Sequence, residues 1–337
     1  ARKILNDAAI PTFRTPEAAV GAFGNIASFY QNQQLLQQTP PPLSTLAKPD
    51  IEGARLIIEG VLAERRQVLT EMESKSLLAA FHIPVTRTML ARSANEAMLI
   101  ASQLGYPVAL KILSPQITHK SDVGGVTLDI EDDAGLRAAA AAMLARVVLH
   151  QPGAEVTGFT VQRMVRRPRA LELIVGAHVD PLFGPVILFG QGGTAVEVVA
   201  DRAVALPPLN LFLARRMIER ARSAAVLGEW RGMPKVQIEA LEYLLMRVSE
   251  MICELPELQE LDINPVIIDE EGAAVVDARA VVRKVVLTKD VPYAHLAILP
   301  YPNLLTKEFI TRQGTHCLFR AIRTRSACGW AARLYSF

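Results

Sequence analysis

Cysteine is scarce in this 337-residue chain. Cys253, Cys317 and Cys328 share no metal-ligand spacing and are odd in number, so neither a zinc site nor a disulfide framework follows. A reduced, cytoplasmic compartment is the expectation. Long apolar runs are missing too: none approaches the ~20 residues needed to cross a bilayer. The opening ARKILNDAA lacks the charged-then-apolar order of a secretion signal, so no membrane partner is expected. Charge imbalance is small, with 36 basic and 34 acidic residues leaving +2. A field of that size gives no argument for nucleic acid, and no nucleic-acid partner is expected. Arg163, Arg166, Arg167 and Arg169 are a local exception, read as a solvated turn by default and as a phosphate-facing rim otherwise.

Half of the residues are hydrophobic, enough in 337 residues for two or three cores and so for more than one domain. Because the chain opens on Ala1 inside what reads as a helix end, a longer parent protein is expected. The stretch YPVALKILSPQITHKSDVGGVTLDI, residues 106–130, reads as strand, polar loop, strand. Lys111 is the single charge in the first strand, and a cation at the end of a buried strand needs an anion. His119, Lys120 and Ser121 add donors, and Gly124 and Gly125 let backbone amides approach a phosphate without a Cβ in the way. Together these features predict a nucleotide-phosphate site.

Earlier in the chain, Thr15, Pro16 and Glu17 predict a helix start, with the helix running to about Gln37. The proline-rich residues 37–50 then predict a stiff linker. Helices are predicted over 51–66 and 71–81, the second opened by a capping box of Thr70 and Glu73. Ser93 and Glu96 repeat that spacing ahead of a helix that Gly105 ends, and residues 83–91 alternate like a strand. A helix over 133–149 completes an α/β unit. From residue 155 the pattern becomes consecutive strands, 155–165, 170–178 and 184–189. A GQGG loop at 190–193, helices at about 210–222 and 235–255, and strands at 260–268 and 273–277 follow. This predicts a second α+β lobe with a cleft between the two.

Asp262 and Asn264 stand two apart on one strand and therefore on one face, and Asp277 lies on the neighbouring hairpin strand. Hard oxygen donors of this kind suit magnesium, which keeps waters and takes further ligands from phosphates. Acidic residues at strand ends are also commonly solvated or paired.

KILSPQITHKSDVGGV, LELIVGAHVDPLFGPVILFGQGG, LDINPV and VVDARA, in this order and spacing, resemble the ATP-grasp portion of ADP-forming acyl-CoA synthetases over residues 70–282. The resemblance extends towards bacterial protein lysine acetyltransferases that fuse a synthetase-like region to a GNAT domain. IPTFRTPEAAV resembles the end of their second CoA-ligase domain, and residues 296–323 resemble the lead-in to the GNAT domain. It implies an ATP-grasp fold of two subdomains, 70–154 and 155–282, with the nucleotide between them. Residues 1–50 are then the end of a CoA-ligase-like domain and its linker, and 51–69 a connecting helix. Residues 283–323 start a GNAT-like domain, and 324–337 are a divergent tail.

The resemblance also implies roles, with ATP or ADP and Mg²⁺ as cofactors. Lys111 binds phosphates with Lys120 and Ser121 beside it, Gly124 and Gly125 belong to the covering loop, Met164 reads the adenine edge, and Glu172 faces the nucleotide. Asn264 and Asp277 hold magnesium with Asp262 in support. His119 matches a loop histidine that carries a phosphoryl group, a task suited to a nitrogen nucleophilic near pH 7. The plainer alternative is a histidine that only donates a hydrogen bond to phosphate.

Departures count as well. The CoA-binding domains have no counterpart here, so they are expected as partners, in the same longer chain or another subunit, within an oligomer. RAIRTRS stands where the family has RPIRPED, and SACGWAARLYSF is unlike the family's continuation beyond that point. Two classes remain open: a phosphoryl-transferring module, or a regulatory domain that senses nucleotide or acyl-CoA.

Overall fold

The computed structural model describes residues 2–8, 10–37, 47–114, 116–117, 120–192, 201–229, 234–285 and 293–299, and the backbone of strands at 306–310, 316–323 and 330–336. The chain forms two compact units, Leu43–Pro300 and a smaller one of Ala1–Pro42 with Tyr301–Phe337. Among the described residues no helix is long and apolar enough to cross a membrane.

The larger unit contains two sheets, each with its own core. In the first, the strand order is β1 (Thr88–Ala91), β4 (Gly158–Arg163), β2 (Val108–Leu113) and β3 (Val126–Ile130), every pair antiparallel. Side chains alternate across a strand. Val108, Leu110 and Ile112 of β2 accordingly join Phe159 and Val161 of β4 on one face, packed against α5 (Ala94–Leu104) and α6 (Asp133–His150). The opposite face carries Thr88, Gln162, Thr160 and Lys111, with Thr88 opposite Gln162 and Thr160 opposite Lys111. All four are buried, an unusual concentration of polar groups for an interior sheet face.

The second sheet runs β10 (Ala278–Val282), β8 (Leu258–Ile268), β5 (Leu171–Asp180), β6 (Gly184–Gln191), β7 (Ala203–Ala205), with β9 (Ala273–Val275) also paired to β8. Its core gathers Leu173, Val175, Leu261 and Ile263 with residues of α7 (Leu211–Arg220), α8 (Ala224–Leu227) and α9 (Ile238–Glu254). Ile58 of α3 (Ile51–Ala63), Leu77 and Leu78 of α4 (Glu71–Ala80) and Phe81 belong to this same core. Burying each of these side chains is worth about 1.5–3 kcal/mol, which fixes α4 to the second lobe.

Several sequence expectations are met. The capping box at α4 is complete, with Thr70 Oγ1 accepting from the Glu73 N–H and the Glu73 carboxylate accepting from the Thr70 N–H. At α5, Ser93 Oγ accepts from the Glu96 N–H, but the Glu96 carboxylate takes the Arg92 N–H instead of that of Ser93. Gly105 ends that helix at φ +83°. α7 starts after Asn210, whose side chain accepts from the Leu213 N–H.

Others are corrected. Residues 155–165 were expected in the second lobe, yet β4 lies between β1 and β2 in the first. Alternation reveals a strand but not its sheet, and Phe159 and Val161 complete the first core. Residues 51–83 pack with the second core, so the lobes do not divide in chain order at residue 154. Of 83–91, only Thr88–Ala91 is a strand; Val85 instead bridges Val275, and the segment crosses between the sheets. Residues 273–277 are not one strand: β9 ends at Val275 and a further strand, β10, begins at Ala278. Of the GQGG loop expected at 190–193, Gly190 and Gln191 instead end β6 and Gly192 follows it, while residue 193 lies outside the described residues.

In the smaller unit α1 (Arg2–Asp7) precedes α2 (Pro16–Gln37), whose start carries the expected Thr15 cap, Oγ1 accepting from the Ala18 N–H at 3.3 Å. Three strands, β11 (Thr306–Ile310), β12 (His316–Arg323) and β13 (Trp330–Ser336), form an antiparallel sheet in that order. The backbone of the divergent tail pairs with β12 from Trp330 to Ser336. Of the linker expected over 37–50, residues 38–46 lie outside the described residues.

Candidate functional site

The first residue of α4 is the centre of the cleft. The capping box fixes the end of the helix, and Arg66 reinforces it by forking onto Glu73 at 2.8 and 3.0 Å. Glu71 is thereby held inward with its side chain 2% exposed. Its Oε1 accepts from Lys111 Nζ at 2.8 Å and from Lys75 Nζ at 3.1 Å, and its Oε2 accepts from Lys120 Nζ at 3.4 Å. Lys111 Nζ also donates to Asp277 Oδ2 at 2.9 Å. Lys75 Nζ reaches Thr88 Oγ1 at 2.7 Å and Gln162 Oε1 at 3.0 Å, which ties α4 to the polar face of the first sheet.

Burial pushes the Glu71 carboxyl up, but the ammonium groups of Lys111, Lys75 and Lys120 outweigh it and hold the pKa at about 2. Burial acts on the two enclosed lysines in the opposite sense, favouring their neutral forms. It prevails at Lys75, whose pKa falls below the ordinary value with Glu71 opposing. At Lys111 the two carboxylates, Asp277 and Glu71, overcome burial and raise the pKa. Three ammonium groups against two carboxylates leave one net positive charge, which an anionic ligand would offset.

Across the cleft, Asp262 and Asn264 share one face of β8 while Leu261 and Ile263 enter the core. Asn264 lies by Asp277, its N–H donating to the Asp277 carbonyl at 3.3 Å. Burial pushes the Asp262 carboxyl up, and the nearby Glu260 and Asp277 carboxylates add to the rise, Arg279 opposing. A cation would relieve that repulsion, and two carboxylates with an amide oxygen are hard donors of the kind magnesium takes. Among the described residues no group of three or more His, Cys, Asp and Glu encloses a metal by itself. Magnesium that completes its shell with water and phosphate fits such a partial set.

A cavity of about 600 Å³ opens beside the lysine cluster, lined by Glu71, Lys120, Ser121, Asp262, Asn264 and Asp277 among others, with Arg66 and Arg279 also on its wall. Lys120, Ser121, Asp262, Asn264 and Asp277 thus line one cavity, and Lys111 joins them through Asp277. Gly124 and Gly125 have a different use for their amides, which donate to the carbonyls of Ser121 at 3.0 Å and Lys120 at 2.7 Å and close a turn. A Cβ on Gly125 would stand 2.5 Å from Ile112 Cδ1. The Met164 N–H donates to the Pro107 carbonyl at 3.0 Å, and Glu172 is exposed on β5. Neither Met164 nor Glu172 is among the lining residues of the cavity. His119 lies outside the described residues.

Sequence reasoning missed Glu71 and Lys75. Their i, i+4 spacing of opposite charges was a signal, but such pairs are ordinary on helix surfaces. Three of the four clustered arginines are paired with carboxylates, Arg166 with Asp129 and Glu131, Arg167 with Asp269 and Arg169 with Glu270, while Arg163 ends β4.

The description "ATP-grasp domain" matches residues 60–282. The chain is 40% identical over 231 residues to the beta subunit of the ADP-forming acetate–CoA ligase I of Pyrococcus furiosus, covering 68% of this chain and 98% of that subunit. To the ADP-forming acetate–CoA ligase I of Archaeoglobus fulgidus it is 37% identical over 279 residues, 83% of this chain and 40% of that longer protein. Of solved structures, the dinucleotide-forming acetyl-coenzyme A synthetase 1 of Ca. Korarchaeum cryptofilum superposes with a TM-score of 0.60 at 34% identity, over 68% of this chain and 100% of that one. It was determined with coenzyme A and Mg-AMPPCP, its phosphohistidine segment pointing towards the nucleotide binding site. With the domain matched over most of its length and a beta subunit covered almost entirely, the chain belongs to the ATP-grasp family, in the branch formed by the beta subunits of ADP-forming acetyl-CoA synthetases.

Proposed function

We propose that this chain is the nucleotide-handling module of an ADP-forming acyl-CoA synthetase, binding ATP or ADP with Mg²⁺ between its lobes and exchanging a phosphoryl group with His119. The observation that carries the reading is the meeting of Lys75, Lys111 and Lys120 around Glu71, opposite Asp277. Cations on one wall and hard oxygen donors on the other suit a nucleotide's phosphates and their metal.

In the exchange a His119 ring nitrogen attacks the γ-phosphorus of ATP, an N–P bond forms, and the P–O bond to the β-phosphate breaks with its electron pair left on ADP. The reverse step makes ATP from phosphohistidine. Lys111 and Lys120 hold the phosphates, and Asn264, Asp277 and Asp262 would hold the metal, which neutralises phosphate charge when bound. Met164 and Glu172 are the proposed contacts to the base and sugar side, and Ser121, Gly124 and Gly125 the loop that covers the phosphates. The acyl substrate and the CoA-binding region belong to the remainder of the enzyme. We place that remainder in a bacterial protein lysine acetyltransferase, on the likeness of residues 10–20 and 296–323; a GNAT acetyl-CoA loop encoded downstream tests this placement.

Calorimetry with Mg-ATP is expected to give binding by the wild-type chain and at least tenfold weaker binding by Lys111→Ala, as about 1.4 kcal/mol of lost contact would produce. Incubation with γ-labelled ATP is expected to leave an acid-labile, base-stable label that His119→Ala lacks. Equal labelling of that variant overturns phosphoryl carriage, and the absence of nucleotide binding overturns the whole reading.

A further inference from the structure

Glu71 has no assigned part in that chemistry, although its carboxylate contacts three lysines drawn from α4, β2 and the loop after β2. Its own place is rigid. Leu77, Leu78 and Phe81 bury α4 in the second core, and the Thr70, Glu73 and Arg66 hydrogen bonds lock the turn from which Glu71 projects. The lysines it meets have long, rotatable stems and need an outside reference to hold one orientation. Lys111 and Lys120 both come from the first lobe, so one fixed carboxylate of the second lobe governs two cations across the cleft.

We infer that Glu71 is a positioning residue for phosphoryl transfer: its carboxylate orients Lys111 and Lys120 toward the nucleotide's phosphates, and Lys75 balances its charge. The assignment rests on the function proposed above. Lys75 is suited to the balancing role because it is 3% exposed and held by Thr88 and Gln162 on the side away from the cavity wall. Orientation matters most in the transition state, where preorganised charges act without reorganisation. Ground-state attraction depends more on how much charge is present, and Glu71→Gln raises the net positive charge by one.

The test uses the full chain with γ-labelled Mg-ATP, reading the rate of His119 labelling against ATP concentration. Glu71→Gln is expected to lower the maximal rate by about 100-fold, while the half-saturating ATP concentration changes by less than about threefold. A Glu71→Gln/Lys75→Met double variant removes both buried charges together, and it is expected to remain slow. Should Glu71→Gln alone fail to fold, the double variant decides. A maximal rate equal to wild type, a defect confined to half-saturation, or recovery in the double variant overturns the assignment. The last outcome would mean that Glu71 only neutralises Lys75. A wild-type chain that takes no label overturns the proposed function and this assignment with it, whereas a labelled wild type with an equally fast Glu71→Gln overturns the assignment alone.

Discussion

A carboxylate enclosed as fully as that of Glu71 stays ionised only because ammonium groups surround it, and this couples the fold to pH. Its folded pKa of about 2 lies below the ordinary 4.5, so the stabilisation is fully present above 4.5 and is lost as pH falls towards 2. A depression of that size corresponds to about 3 kcal/mol. Urea midpoints of the wild type are therefore expected to fall across this window. Glu71→Gln is expected to show a stability slope shallower by about one proton there, as urea titrations at several pH values would measure. An unchanged slope would mean that Glu71 keeps its ordinary pKa. Lys111 was legible in sequence because a lone cation in an apolar strand demands an explanation. Glu71 was not, because an acidic residue in a helix's first turn is already explained by the dipole, and only the fold brings β2 and the following loop to it.

Elements were legible where local chemistry marks their ends. Thr70 with Glu73, Ser93, Gly105 and Asn210 all sit at the helix ends that their side chains or dihedrals dictate. Sheet membership was not legible, since the period of β4 is the same whichever sheet receives it, and only its pairing with β1 and β2 places it. The turn over 120–125 shows how an element can look functional for one reason and be built for another. Its glycines promised amides free for phosphate, but those amides close the turn that presents Lys120 and Ser121. Gly124 needs its freedom at φ +64°, and Gly125 sits against Ile112 and the Lys120 carbonyl. Gly125→Ala is expected to lower stability by about 1–3 kcal/mol through overpacking, and to weaken nucleotide binding by displacing Lys120. Thr70→Ala, which removes the hydroxyl that caps α4, is expected to cost about 1 kcal/mol. Thermal unfolding of both variants together with calorimetry separates the two effects, and a Gly125→Ala chain with wild-type stability would contradict the tight packing.

At the scale of the whole molecule, α4 belongs to the second core by its apolar side and to the first sheet by Lys75, while Lys111 spans the cleft to Asp277. The two lobes are therefore clasped by charges, among them the lysines that the proposed function gives to a nucleotide's phosphates. The chain spans nearly all of a beta subunit but 40% of a single-chain relative, and under the proposed function the CoA-handling part of the reaction belongs to other domains. Incubated alone with Mg-ATP, acetate and coenzyme A, it is expected to form phosphohistidine and ADP but no acetyl-CoA. Addition of the CoA-binding subunit of a related ADP-forming synthetase is expected to discharge the phosphohistidine, because under the proposed function the acyl and CoA site that His119 must reach lies in that subunit. Chromatographic detection of acetyl-CoA, with and without the added subunit, makes the comparison. Acetyl-CoA from this chain alone would show that it contains a complete active site. Label that stays on His119 when a matched subunit is present would place the chain's phosphoryl chemistry outside acyl-CoA synthesis.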